Sequence, residues 1–315
     1  MDMETSRTGS KFANKIWNAT RFILMNLEGR TLGDPLAAPR TVADRWILHR
    51  LNEAVKAVDA AMEAYRFDDM AHAVYEYFWN DYCDWYVECA KLGLYGDDEA
   101  EKDRTATMLI HVLEESLKLM HPFLPFITEE IWGKIDAERE PLIVAPFPAA
   151  DASREDAAAE ASFGVLKEMV TAVRTMRSEF TIPPSRDVKV RIEATDEAGG
   201  ALTGTEDIAA LLVKSDDLAM AGEGESFGGS LAAVGRGFTA HVFIKDLIDV
   251  DAAADKFRKS LEKSVQLIEG KKKKLSNEKF VSRAPQDIIA KEKESLAEME
   301  DAAARSAAYL AALEG

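Results

Sequence analysis

Arg7, Lys11, Asn14, Lys15, Asn18 and Arg21 recur at helical spacing near the start of the chain. At ~100° per residue they share one side of a helix, opposite Phe12, Ile16, Ala19, Ile23 and Leu27. That side carries cations and amides, no acid, and the ring of Phe22. Cations pair with phosphate, amides read base edges and rings stack on bases, so this is the chemistry that holds single-stranded nucleic acid. A solvated surface with one misplaced ring is the other reading, and periodicity alone favours it.

The candidates for catalysis are weaker. His121 stands beside Pro122 with no nucleophile or metal partner near it in sequence, which fits a capping or packing histidine. Gly222, Gly224, Gly228 and Gly229 form neither Gly-x-Gly-x-x-Gly nor a P-loop, and read as a loop between strands. Cys83 and Cys89 lie six apart in an aromatic segment, which is not a metal-ligand spacing. Two buried thiols suit a reducing cytoplasm. No catalytic residue, metal site or cofactor is expected in this chain.

The positioning elements follow from pattern. A helix over Gly9–Leu27 carries the basic face, and a Gly/Pro loop from Gly29 to Arg40 follows it. Leu48, Leu51, Val55, Val58 and Met62 mark a second helix over about Val42–Tyr65. A third, Phe67–Leu92, contains Tyr75, Tyr77, Phe78, Trp79, Tyr82, Trp85 and Tyr86. Rings at helical spacing are usually core, and Glu76, Asp81, Asp84 and Glu88 would repel phosphate, so core is preferred over a stacking platform. A fourth helix over about Ala100–Leu119 stops at His121-Pro122-Phe123-Leu124-Pro125-Phe126. Thr128 is the expected N-cap of the next turn. Pro141–Asp151 is an extended connector, and a helix over about Glu155–Phe180 ends at Pro183-Pro184. Short strands are expected at Val188–Ile192, Leu218–Ala221, Leu231–Val234 and Phe238–Ile244, with a short helix at Ile208–Val213.

The tail reads as a helical hairpin. Val250, Ala254, Phe257, Leu261, Val265, Ile268 and Leu275 form one apolar stripe. Ile289, Leu296, Ala303 and Leu310 recur every seven residues, joined by Met299 and Leu313, with Glu292 and Ser306 as weak members. Two helices of ~40 Å with a short connection over Ser276–Pro285 pair antiparallel. Lys271, Lys272, Lys273, Lys274, Lys279 and Arg283 gather at the distal end, where the sequence sets only Glu278 against them. A solvated charge run and a phosphate-binding tip remain open readings.

The net charge of −17 at first opposes a polyanionic partner. Its distribution does not: residues 1–50 carry eight basic and five acidic side chains, whereas residues 51–160 carry nine and 25. Residues 250–315 carry 13 and 12, so a polyanion should touch the two ends. No run approaches the ~18 apolar residues of a membrane span, and no apolar signal segment opens the chain.

Several segments match one family in order. Phe12-Ala13-Asn14-Lys15-Ile16-Trp17-Asn18-Ala19-Thr20-Arg21-Phe22 resembles the helix that opens the anticodon-binding domain of the valine–tRNA ligases, class I aminoacyl-tRNA synthetases. Asp44-Arg45-Trp46-Ile47-Leu48, Phe78 through Glu88, and the HPFLPFITEEIW segment from His121 resemble the same enzymes and their leucine and isoleucine relatives. MRSEFTIPPSRDV, which carries Arg177 and Arg186 downstream of Arg174, resembles the next stretch. KKKLSNEKFVSRAP resembles the tip of the family's C-terminal coiled-coil arm.

The resemblance implies a mainly α fold: an anticodon-binding bundle over 1–150, a small α+β domain over 151–248 and a coiled-coil tRNA-binding arm over 249–315. It implies contact with the anticodon stem-loop through Lys11, Asn14, Lys15, Trp17, Asn18, Arg21 and Phe22. It implies contact with the tRNA corner through the distal cations of the arm. Arg174, Arg177 and Arg186 are further candidate contacts. The His-Ile-Gly-His-like and Lys-Met-Ser-Lys-Ser-like motifs of class I enzymes do not occur, so ATP and aminoacylation are expected of a catalytic portion elsewhere. The expected partners are valine tRNA and that catalytic domain, with the protein itself monomeric and cytoplasmic. The alternative is a protein-interaction module with a helical hairpin and no RNA role.

Overall fold

The computed structural model describes residues 3–36, 41–277 and 286–314. Its helices in the first half are α1 (Met3–Leu27), α2 (Val42–Glu63), α3 (Phe67–Glu76), a π-helical segment (Tyr77–Tyr86), α4 (Val87–Leu94), α5 (Glu99–Met120) and α6 (Pro125–Ile135). They are followed by α7 (Ala157–Glu179), α8 (Asp196–Leu202), α9 (Glu206–Val213), α10 (Val250–Leu275) and α11 (Gln286–Glu314). Four strands, β1 (Lys189–Ala194), β2 (Asp217–Met220), β3 (Ser230–Gly235) and β4 (Phe238–Phe243), form one mixed sheet. The fold is therefore mainly α with a small α+β part, and its last two helices pack along each other. No helix among the described residues is long and apolar enough to cross a membrane. Contacts divide the chain into two units, Met1–Glu168 with Gly200–Leu212, and Met169–Gly199 with Val213–Gly315.

In the first unit, the Asp44-Arg45-Trp46-Ile47-Leu48 motif is architectural. Thr41 Oγ1 accepts from the Asp44 amide at 3.1 Å, and the Asp44 carboxylate accepts from the Thr41 amide at 3.0 Å, a reciprocal cap on α2. The other Asp44 oxygen accepts from the buried Tyr86 hydroxyl at 2.6 Å. Trp46 stacks on Phe163 of α7 at 3.8 Å between centroids, and Ile47 and Leu48 are fully enclosed. The ring-rich third helix is continuous but not uniform. Its central ten residues open into π geometry, where each amide reaches a carbonyl five residues back. Tyr77, Phe78, Tyr82 and Tyr86 are buried in the bundle, as the core reading required. The Tyr82 hydroxyl donates to the Leu109 carbonyl at 2.8 Å. Both cysteines are buried and neither is in a disulfide, and burial pushes the Cys83 thiol up to about 12.

The break at His121–Phe126 places α6 differently from the expectation. Pro125 opens the helix at a position where its missing N–H costs nothing, so Thr128 lies inside α6 rather than capping it. Thr128 is buried, its hydroxyl donates to the Leu124 carbonyl at 2.9 Å, and His121 Nδ1 lies 2.8 Å from that oxygen. His121 is a packing histidine.

In the second unit the sheet order is β2-β1-β4-β3, with β1 and β2 parallel and the other pairs antiparallel. Gly237 closes the β3–β4 turn at φ +76°, and its carbonyl accepts from the Thr195 amide at 2.8 Å. That φ favours glycine. The short helix α8, with two adjacent glycines, has too little apolar pattern to be visible in sequence. Arg177 overturns the expectation that it offers a cation to RNA. It is 6% exposed, and its guanidinium donates to the carbonyls of Val213 at 2.8 Å, Lys214 at 3.0 Å, Pro183 at 2.9 Å and Arg186 at 2.6 Å. A delocalised fork with five donors suits this carbonyl cage, which ties the end of α7 to the loop before β1 and to the Val213–Lys214 stretch that leads to β2.

The hairpin pairs antiparallel, as Arg258–Glu314 at 2.5 Å and Lys274–Glu292 at 2.8 Å require. Its base is seated by three rings: Phe180, Phe257 and Tyr309 lie 4.8–5.5 Å apart. The seam on α10 runs through Ala254, Phe257, Leu261, Ser264, Ile268, Lys271 and Leu275. Val265, expected in the stripe, is 51% exposed, because a steady four-three alternation selects Ser264 instead.

Two stability measurements test this packing. Phe163→Ala should cost about 3–5 kcal/mol, read from urea unfolding of the first unit, because it removes the face on which Trp46 stacks. Arg177→Met should cost about 2–4 kcal/mol by leaving buried carbonyls without a donor, with faster hydrogen exchange at β1.

Candidate nucleic-acid interface

α1 turns its apolar side inward. Ile16 and Ile23 are fully buried, Thr20 lies between them, and Phe12 packs on Tyr75 at 4.9 Å and edge-on to Phe78 at 6.0 Å. The helix rests on α5, α6 and the π segment, so its opposite side faces outward. Lys11, Asn14, Asn18 and Arg21 are exposed there, and neither Lys11 nor Arg21 makes an ion pair among the described residues. Arg7 precedes the residues whose side chains are described.

The two edges of this surface differ from its centre. At one edge Trp17 is 39% exposed, with the ammonium of Lys134 from α6 at 5.9 Å from the ring centroid. At the other edge Phe22 is half-buried, with Lys91 from α4 at 5.6 Å. Beside it, Lys15 lies over Trp79 at 4.7 Å and is ion-paired to Asp84, so it is less free than its spacing suggested. Lys134 pairs with Glu130 at 2.9 Å and Lys91 with Glu88 at 2.7 Å. A cation over a ring face is held by the ring quadrupole, and the carboxylate adds a second hold. The surface therefore has a centre of unpaired cations and amides and a rim of three lysine–ring–carboxylate groups.

Lys91, Lys134 and Trp79 were not legible as members of this surface. Glu88–Lys91 and Glu130–Lys134 are ordinary i,i+3 and i,i+4 helix pairs. Only packing sets these lysines above rings far away in sequence.

The arm, described by itself, modifies the reading of its lysine cluster. Lys271 and Lys274 both pair with Glu292, at 3.0 and 2.8 Å, and Lys272 pairs with Glu300 at 2.5 Å. The sequence set Glu278 alone against them, but the hairpin brings two further carboxylates across from the partner helix. Lys271 and Glu292 occupy facing seam positions, where an ion pair fixes register. Lys273 is exposed. Lys279 and Arg283 lie outside the described residues. Arg174 and Arg186 are exposed on the second unit, so of that trio only Arg177 is withdrawn.

Two family models match this chain. Residues 44–192 match the anticodon-binding domain of tRNA ligases, and residues 249–314 match the valyl tRNA synthetase tRNA binding arm. The chain belongs to the valine–tRNA ligase family. It is 42% identical over 312 residues to the valine–tRNA ligase of Treponema denticola, covering 95% of this chain and 34% of that protein. The enzyme of Treponema pallidum is 37% identical over 343 residues, covering 100% and 36%. That of Bacillus subtilis is 37% identical over 285 residues, covering 90% and 32%. The chain thus spans about a third of the length of these ligases. The matched ranges assign both the helix bundle and the hairpin to modules of the ligase family, while α1 precedes the first of them.

The seam ion pair carries a pH signature. Lys274 and then Lys271 hold the Glu292 carboxyl below the ordinary glutamate value of 4.5. Its contribution to hairpin stability is therefore complete above that value and is lost as pH falls through the lower folded value. Melting of the arm followed by circular dichroism should weaken in that acid window, and Glu292→Gln should remove this part of the pH dependence.

Proposed function

We propose that this chain is the tRNA-recognition part of a valine–tRNA ligase. Its bundle would meet the anticodon stem-loop and its arm the outer corner of the tRNA. The observation that carries the reading is the outer side of α1, where Lys11 and Arg21 stand without ion pairs beside Asn14, Asn18 and Phe22 in an acidic chain. Both family matches support it, since each describes a tRNA-binding module.

Lys11 and Arg21 would hold phosphate, Asn14 or Asn18 would meet a base edge, and Phe22 or Trp17 would stack a base. Valine anticodons share a central adenine, whose edge offers an amide side chain a donor and an acceptor. On the arm Lys273, exposed and in no ion pair among the described residues, would lead the second contact, with Lys279, Arg283, Arg174 and Arg186 as further cations. Two modest contacts on one polypeptide raise each other's effective concentration. The three-domain division at 150 and 248 belongs to this reading, with the second boundary supported by the arm match that begins at 249. ATP-dependent formation of valyl-tRNA, a cytoplasmic setting and a monomeric state belong to the same proposal, the chemistry being assigned to a catalytic portion of the ligase.

Titration with valine tRNA, and with a variant altered at the central anticodon base, tests the proposal at two salt concentrations. Binding should discriminate between the two and weaken with salt. Phe22→Ala should cost about 1–3 kcal/mol of binding. Lys11→Ala should lower the slope of log K against log salt by about 1. Equal, salt-insensitive or undetectable binding would favour the protein-interaction module that the net charge of −17 also suits.

A further inference from the structure

The rim of the α1 surface is organised in a way that phosphate binding alone does not require. Lys15, Lys91 and Lys134 come from three different elements, yet each is placed over a ring and held by one carboxylate: Asp84, Glu88 and Glu130 respectively. A surface built only for affinity would leave these lysines free, as it leaves Lys11 and Arg21. Asp84, Glu88 and Glu130 are themselves half-exposed, at 44%, 42% and 59%, so they present negative charge to any approaching polyanion.

We infer that Asp84, Glu88 and Glu130 are specificity-determining residues, placeholders that an RNA phosphate must displace. The inference rests on the tRNA reading above. An RNA whose loop delivers phosphates to the lysines takes over each lysine from its carboxylate and frees the ring of Trp17, Phe22 or Trp79 for a base. An RNA of the wrong shape reaches the free cations at the centre but not the rim lysines, which stay neutralised by their carboxylates and add nothing to its binding. Only an RNA that places phosphates within reach of the lysines can compete for them, so the carboxylates lower affinity overall and raise discrimination. The arrangement also gives the acid of residues 51–160 a use: part of the charge that disfavours RNA in general is placed where it filters RNA.

The test is the triple variant D84N/E88Q/E130Q of the full chain, which keeps side-chain shape and removes three negative charges. A control, E63Q/D68N/D97N, removes the same charge at exposed bundle positions that pair with none of the rim lysines. Thermal unfolding by circular dichroism checks that both remain folded. Fluorescence anisotropy then compares valine tRNA, its central-anticodon variant and an unrelated tRNA.

The rim variant should bind the unrelated and altered tRNAs about tenfold or more tightly, and valine tRNA less than about threefold more tightly, so that discrimination falls. Its salt slope for the unrelated tRNA should steepen by up to about 3, while the control keeps the wild-type ratio. Equal tightening for all three RNAs, no change, or the same loss of discrimination in the control would overturn the inference while leaving the tRNA reading intact. A wild-type chain with no discrimination would overturn both.

Discussion

A carboxylate buried among aromatic rings needs hydrogen-bonding partners, and Asp81 is where the bundle meets that constraint. It is 6% exposed, accepting from Arg50 Nε of α2 at 2.8 Å and from Lys167 Nζ of α7 at 3.2 Å. Lys167 in turn lies over Trp46 at 4.8 Å and Trp85 at 5.5 Å. One anion thus draws α2, the π segment and α7 to a common point. The π geometry around it presents Asp81 to that cluster while Asp84, three residues later, is presented to Lys15 of α1. The seating of the outward helix depends on a segment whose own placement depends on an interior charge.

The same rule operates at the surface with a different outcome. The chain has 56 acidic and 39 basic side chains, so most cations that can find a carboxylate do find one. Exposed pairs of this kind contribute little stability, about 0–1 kcal/mol each. Their consequence is to decide which cations are available. Among the described side chains of α1 the free cations are Lys11 and Arg21, and on the arm the described lysines at 271, 272 and 274 are committed to Glu292 and Glu300. Availability, more than net charge, shapes a surface that a polyanion can use.

The hairpin shows how register is chosen when an apolar stripe is imperfect. Leu261 and Ile268 alone would tolerate a neighbouring alignment, but Lys271 facing Glu292 in the seam, with Phe257 held against Phe180 and Tyr309 at the base, admits one. The ion pair sits toward the tip and the rings at the root, so the two ends of the described hairpin are set by different forces.

Much was legible from residue order alone. Period and punctuation placed the helices other than α8, the four short strands and the hairpin, because apolar spacing and proline act locally. The two sides of α1 were legible for the same reason, and the family wording of Phe12–Phe22 supplied a meaning for the outer one. Tertiary structure alone decided which charges are spent. Arg174, Arg177 and Arg186 look alike in sequence, yet Arg177 is the one enclosed by carbonyls from two distant stretches, at 183–186 and 213–214. Lys271 and Lys274 look unopposed until the partner helix brings Glu292 against them. Ion pairs and hydrogen bonds between distant segments depend on distances that only packing sets, so the sequence by itself determined the face of the helix, and the folded chain determined which of its cations remain free.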